Sequence, residues 1–189
     1  MKSVFLAAAL AATASIATAA DQYTVDSSHS QVLFSYNHLG FSTTFGMFSG
    51  FEGNITFDEA NPANSSVSVS IATRSMFTGW EAREGHFLSD DFFGATEEDR
   101  VTFTSTSIEV TGDDTALITG DLTMNDITKS VVLDTVLNQS GKHPLNGDVW
   151  AGFNAKTTLL RSDFGLGALA PAVSDEVEVQ ISLEAAKVK

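Results

Sequence analysis

Residues 34–51 read FSYNHLGFSTTFGMFSGF, with five phenylalanines, one tyrosine and three glycines. Rings in that number must either fill a core or surround something apolar. The stretch just upstream shows which way they face. In QVLFSYNH (31–38), Val32, Phe34, Tyr36 and His38 share one side, while Gln31, Ser35 and Asn37 share the other. Only Leu33 breaks the pattern. A period of two is the signature of a half-buried strand.

The same period recurs along the chain. SSVSVSI places Val67, Val69 and Ile71 on one face, and VTFTSTSIEV does the same with Val101 and Phe103. TALITGDLTM (115–124), SVVLDTVLN (130–138), VWAGFNAKTTLL (149–160) and VEVQISLEA (177–185) are further strands. With FEGNITF (51–57) the total is about eight or nine. Turn chemistry separates them at TGDDT (111–115), NDITK (125–129) and QSGKHPLNGD (139–148). Short, regularly spaced strands predict an antiparallel barrel or sandwich.

One segment departs from this. In SMFTGWEAREGHFLSDDFFGATEEDR (75–100), Trp80, Arg83 and Phe87 fall at helical spacing. Ser89 is placed to cap a second short helix carrying Phe92 and Phe93, with Asp90 and Asp91 at its positive end. The expectation is one or two short helices around 78–95.

The first twenty residues, MKSVFLAAALAATASIATAA, have an early Lys2, an apolar run and a small-residue end with Ala17 and Ala19. This is the pattern of a cleaved signal peptide. Residues 21–189 then form a single domain, outside the cytoplasm and without stable membrane insertion. The leader reads as bacterial, so the expected location is the periplasm. The chain has no cysteine, which excludes disulfides and thiol chemistry. With 24 acidic residues against ten Lys and Arg, the formal net charge is −14. Such a chain repels phosphate backbones and anionic lipid surfaces, so nucleic acid is not an expected partner. Fourteen Phe stand against two Tyr and two Trp. Phe carries no polar group to satisfy when buried, so the interior is greasy, whether packed on itself or wrapped around a guest.

Motifs for nucleophilic, phosphate-binding or zinc chemistry are absent, and the reading is non-enzymatic. The four histidines, His29, His38, His86 and His143, do not pair at ligand spacing, so no metal or cofactor is expected. His29 reads as a turn residue bonded locally. His38 ends the apolar face of its strand and is either a core-edge histidine or a polar group at a pocket mouth. Arg161 and Asp163 share a strand face if the alternation holds, which predicts an ion pair near a barrel end. The alternative is that Arg161 holds a polar head group.

Taken in order, YTVDSSHSQVLFSYNHLGFSTTFGMFSGFEGNITFD, GHFLSDDFF (85–93), VTFTSTS (101–107), GDLTMNDITK (120–129) and RSDFG (161–165) resemble the YceI-like polyisoprenoid-binding family. The chain departs from the family in two places. Asp99 and Arg100 stand where Tyr-Pro is usual, and Asp126 stands where Gly is favoured. The resemblance implies an eight-stranded antiparallel lipocalin-like barrel, periplasmic or secreted, holding an isoprenoid quinone or polyprenyl phosphate. Homodimers are also implied as possible.

The residues alone leave a packed core and a cavity equally open; the resemblance favours the cavity. Its expected apolar wall is Val32, Phe34 and Tyr36 from one strand and Phe45, Phe48 and Phe51 from the next. Phe87, Phe92 and Phe103 complete it, with His38 and Arg161 as possible head-group residues. The expected function is a carrier or store of a long isoprenoid lipid, and the acidic composition favours a neutral head. Two alternatives stay open. One is a ligand-free structural or stress-related barrel; the other is an enzyme using His38 or Asp163 as acid or base.

Overall fold

The computed structural model describes residues 20–189. The expected leader therefore lies, Ala20 apart, outside the described residues. Ten strands form one continuous antiparallel sheet. They are β1 (Asp21–Val25), β2 (Gln31–His38), β3 (Ser42–Ser49), β4 (Glu52–Phe57), β5 (Ser66–Ala72), β6 (Arg100–Val110), β7 (Thr115–Met124), β8 (Ile127–Lys142), β9 (Val149–Leu160) and β10 (Glu176–Lys187). The strand order is β1-β4-β5-β6-β7-β8-β9-β10-β2-β3, and β1 also pairs with β10.

Ten strands make eight staves because two staves are broken. β2 pairs with the first half of β10 (Phe34↔Val179) and β1 with its second half (Val25↔Ala185). β3 lies beside β2, and β4 lies beside β1. The barrel is the eight-stranded antiparallel one expected from the sequence. At the β1/β2 break, the backbone of Glu184 replaces the lost ladder. Its carbonyl accepts from the Asp26 N–H at 2.8 Å, and its N–H donates to Ser30 Oγ at 3.1 Å. Asp26 Oδ1 accepts from the Ser28 N–H, and Asp26 Oδ2 lies 2.6 Å from His29 Nδ1. His29 is thus the local turn residue the sequence suggested. The β3/β4 break falls at Gly50, whose φ of 76° is a conformation that favours glycine.

The upper wall is not closed as the lower one is. Below, β4 pairs with β5 along Glu52–Thr56. Above, the outer edge of β3 bonds to the loop after β5, through the paired amides and carbonyls of Met47 and Phe77 at 2.8 Å each and the Ser49 N–H donating to Ser75 Oγ at 3.4 Å.

One helix, α1 (Glu81–Leu88), rises from the β5–β6 connection over the upper end. The second helix does not form. Ser89 ends α1 instead, its Oγ donating to the His86 carbonyl at 2.7 Å, and Asp90 to Phe93 make turns. Ser89 Oγ also accepts from the Asp91 N–H at 3.4 Å, but the chain beyond it only turns and makes no second helix. The β2–β3 turn, the β7–β8 turn and the β9–β10 connection (161–175) share that end with α1. The opposite end holds residues 58–65 and the β6–β7 and β8–β9 turns.

The largest buried apolar cluster lies toward the lower end, while Phe164 and Leu166 are buried separately in the β9–β10 connection. Tyr23, Phe51, Ile55, Phe57, Leu183 and Ala185 are buried together in that cluster. Phe57 stands edge-on to Tyr23 and Phe153, at 6.1 and 5.7 Å between centroids.

Two predictions follow from these contacts. His29 holds its proton more tightly in the folded chain, through its bond to Asp26, so its contribution is complete below 6.5 and fades as pH rises through its folded value. Asp26 is held below its ordinary range, chiefly by the same bond, so its contribution is complete above 3.8 and fades as pH falls through its folded value. The loss of thermal midpoint in His29→Gln should therefore be largest between about pH 4 and 6.5 and shrink on both sides. Second, Gly46→Val places side-chain atoms where the Phe34 ring now lies. It should cost about 1–3 kcal/mol in urea unfolding, the usual range for overpacking.

Candidate functional site

Beside the buried apolar cluster the barrel is hollow along its length. A cavity of about 860 Å³ runs from the end covered by α1 to the β6–β7 turn. That volume is at the upper end of the range for sites that enclose small organic ligands, roughly 300–1,000 Å³. The wall is built by alternation: Val67, Val69, Val131, Leu133, Val177 and Ile181 all point inward. Each is nonetheless only half-buried. Side chains that face in yet keep solvent access line a space that their own bulk does not fill.

The rings stay out of that space for a local reason. Phe34 pairs across the strands with Gly46, and a Cβ at Gly46 would collide with its ring. Phe103 lies over Gly120 in the same way. Each ring is laid flat into the gap left by a missing side chain on the neighbouring strand. The lumen is lined by aromatic faces rather than crossed by them.

Eight of the nine expected wall residues line the cavity: Val32, Phe34, Tyr36, Phe48 and Phe51, with Phe87, Phe92 and Phe103. Tyr36, Phe87 and Phe92 form a chain of ring contacts at 6.1 and 5.4 Å beneath α1. Phe45 is the correction. It is 63% exposed on the outer face, opposite Ser35. In β3 the inward positions are Ser42, Thr44, Gly46 and Phe48, so a residue three before Phe48 must point out.

His38 and Arg161 both reach the upper mouth. Arg161 does not pair with Asp163, because residues 161–164 form a 3₁₀ turn rather than strand. Asp163 faces Lys129 instead, at 3.9 Å. The Arg161 guanidinium donates to four backbone carbonyls, those of Leu166, Ala168, Val173 and Ser174. It thereby ties down the long β9–β10 connection. Burial pulls its pKa below the ordinary arginine value, with Asp175 and Tyr36 opposing. Four of its five N–H groups are used, which leaves one.

Several site residues escaped the sequence reading. Arg83 and His86 of α1 also line the mouth, as does Trp80. The helical spacing of Trp80, Arg83 and Phe87 was the signal for Arg83, since Phe87 faces inward one turn later. Among the described residues, Asp26, His29 and Glu184 are close enough together to share a cation, but they sit at the β1/β2 break and not on the lumen.

A model of the YceI-like domain matches residues 23–185. The chain belongs to the YceI-like family. Protein YceI of Shigella flexneri is 41% identical over 184 residues, covering 96% of this chain and 95% of that protein. The UPF0312 protein of Pseudomonas putida is 40% identical over 172 residues, covering 90% and 88%. Among solved structures, Burkholderia cenocepacia BcnA superposes on this YceI-like barrel with a TM-score of 0.76 at 25% identity, covering 85% of this chain and 98% of that one. A polyisoprenoid binding domain from Saccharophagus degradans, implicated in plant cell wall breakdown, superposes with a TM-score of 0.69. It is 17% identical, covers 90% of this chain and 100% of that one, and speaks for the fold.

Replacing Arg161 with Met should free the 166–173 segment, because four carbonyls lose a charged donor at once. Limited proteolysis should cut there at least tenfold faster, with a loss of about 2 kcal/mol or more in stability.

Proposed function

We propose that this YceI-like protein holds one long isoprenoid lipid in its barrel, outside the cytoplasm, as a carrier or store. The observation that carries the reading is the hollow, Phe-lined lumen, whose inward side chains remain solvent-accessible. A slender unsaturated chain needs dispersion contacts along its length and no hydrogen bonds, and that is what aromatic faces supply. Burying about 20 methylene equivalents gives roughly 16 kcal/mol gross. Ordering and association offset much of this and still leave room for tight, slowly reversible binding. Polyisoprenoid binding is carried over as a ligand class from the Saccharophagus domain with the same fold. Extracytoplasmic location rests on the leader-like first twenty residues. No step in this reading asks for a catalytic group. No helix among the described residues is long and apolar enough to cross a membrane.

The experiment is mass spectrometry of organic extracts from protein purified without detergent. An isoprenoid lipid should be recovered at near-stoichiometric amounts. The double variant Leu133→Trp, Ile181→Trp fills the lumen from two staves, β8 and β10, and should reduce the recovered lipid at least tenfold while remaining folded by circular dichroism. Wild-type protein yielding no lipid, and binding none added back, would sink the proposal.

A further inference from the structure

The exposed aromatic rings are gathered at one end of the barrel. Among the described residues, Phe41, Phe45, Phe77 and Trp80 are the exposed Phe and Trp side chains, and all four stand in the upper wall or on the mouth rim. Phe41 closes the β2–β3 turn, 91% exposed, and Leu39 shares that turn. The Leu39 N–H donates to the Ala172 carbonyl at 3.1 Å, which sets Leu169 of the β9–β10 connection nearby. Phe45 follows on the outer face of β3, Phe77 lies across the seam from Met47, and Trp80 precedes α1. The six side chains make an arc along one side of the mouth.

Two of them occupy places that do not favour their residue type. Leu39 and Leu169 have φ of 56° and 66°, in the left-handed region that suits Gly and Asn. Both are exposed, so core packing does not account for an apolar side chain at either place.

The arc is also uncharged along its own segments. Residues 31–51, 75–80 and 164–173 hold no Asp, Glu, Lys or Arg, in a chain with 24 acidic residues. Charge returns at its ends, with Glu81, Arg83 and Glu84 on α1 and Asp163 after β9. Glu84 is occupied by the Thr78 N–H at 2.7 Å, and the Arg83 guanidinium lies 5.4 Å from the Trp80 ring centroid.

Trp80 and Leu169 belong to two surfaces at once. Each borders the lumen, and each is more than half exposed. Through them the apolar lining passes over the rim and onto the outside of the barrel.

We propose that this arc is the face by which the protein rests on a lipid bilayer of zwitterionic head groups, with the mouth turned toward the membrane. The proposal rests on the lipid-binding reading and adds the surface across which the lipid is exchanged. A contiguous exposed apolar patch marks a contact surface. Aromatic rings, Trp above all, settle at the level of the head groups. Contact of this kind is one side chain deep and reversible, and no strand or helix enters the hydrocarbon. Continuity with a lipid-lined lumen favours a bilayer over a soluble protein partner. Charge decides which bilayer. A chain of formal net charge −14 is repelled by anionic lipid, and an uncharged arc does nothing to offset that, whereas a zwitterionic surface asks for no offset.

The test is flotation of the purified protein with phosphatidylcholine vesicles on a density gradient at low salt. Wild-type protein should rise with the vesicles. The double variant Phe41→Ser, Phe45→Ser should float at least fivefold less. Both residues are exposed and neither borders the lumen, so its circular dichroism and the lipid recovered from its organic extracts should match wild type. Exchanging part of the phosphatidylcholine for phosphatidylglycerol should weaken wild-type binding, and added salt should return most of it.

Wild-type protein that carries lipid but does not float would overturn the docking face and leave the lipid reading intact. Protein that neither floats nor carries or takes up lipid would overturn both. Equal flotation of the double variant would remove the assignment to this arc. Tighter binding to phosphatidylglycerol would overturn the choice of a zwitterionic surface. Wild-type protein sedimenting as a dimer, with the double variant a monomer, would give the arc to a second copy instead.

Discussion

The hollow barrel depends on an aromatic ring laid over a glycine on the neighbouring strand. Phe34 on Gly46 and Phe103 on Gly120 are the two instances, on opposite sides of the lumen. A side chain at either glycine would push the ring toward the axis. Eight staves enclose an interior scarcely wider than the side chains that fill it in most such barrels. A few rings rotated inward would close it. The composition supplies the grease, and the placement of two glycines decides that it coats the wall.

That wall leaves polarity to the ends. Along β7 to β10 the inward residues are mostly aliphatic, so the middle of the lumen offers chiefly dispersion, with the hydroxyls of Thr135 and Thr157 as exceptions. Discrimination among apolar chains of one kind is therefore weak there. The cationic side chains that border the lumen, His38, Arg83, His86 and Arg161, sit at the mouth, from β2, α1 and the β9–β10 connection. Arg161 joins the two roles: its bonds to four carbonyls shape the connection, and the same bonds hold its charge at the lumen. Fixing a cation in advance costs folding stability and spares the ligand that work later.

Much of this was legible in the sequence. The alternation in QVLFSYNH, SSVSVSI and SVVLDTVLN fixed which residues face inward, because a strand has only two sides. NDITK read correctly as a turn, with Asn125 and Asp126 both at positive φ. The misses have different causes. Phe45 and Phe48 looked alike as residues, but three positions apart on one strand they cannot share a face. Arg161 and Asp163 looked paired by alternation, but the strand ends at Leu160. The breaks that turn ten strands into eight staves are stitched by Glu184, more than 150 residues away from Ser30. Ser89 carries a side chain suited to either end of a helix, and only the position of α1 decides which.

The seam between β3 and the loop after β5 has a mechanical meaning. Parting any other pair of staves means breaking a run of ladder hydrogen bonds. Parting this one means breaking the two between Met47 and Phe77 and the weaker one from the Ser49 N–H to Ser75 Oγ. Girth is therefore adjustable on one side and near one end only, while the ring below keeps its circumference. A guest thicker at its head than along its tail would be met by a collar that spreads above a rigid sleeve.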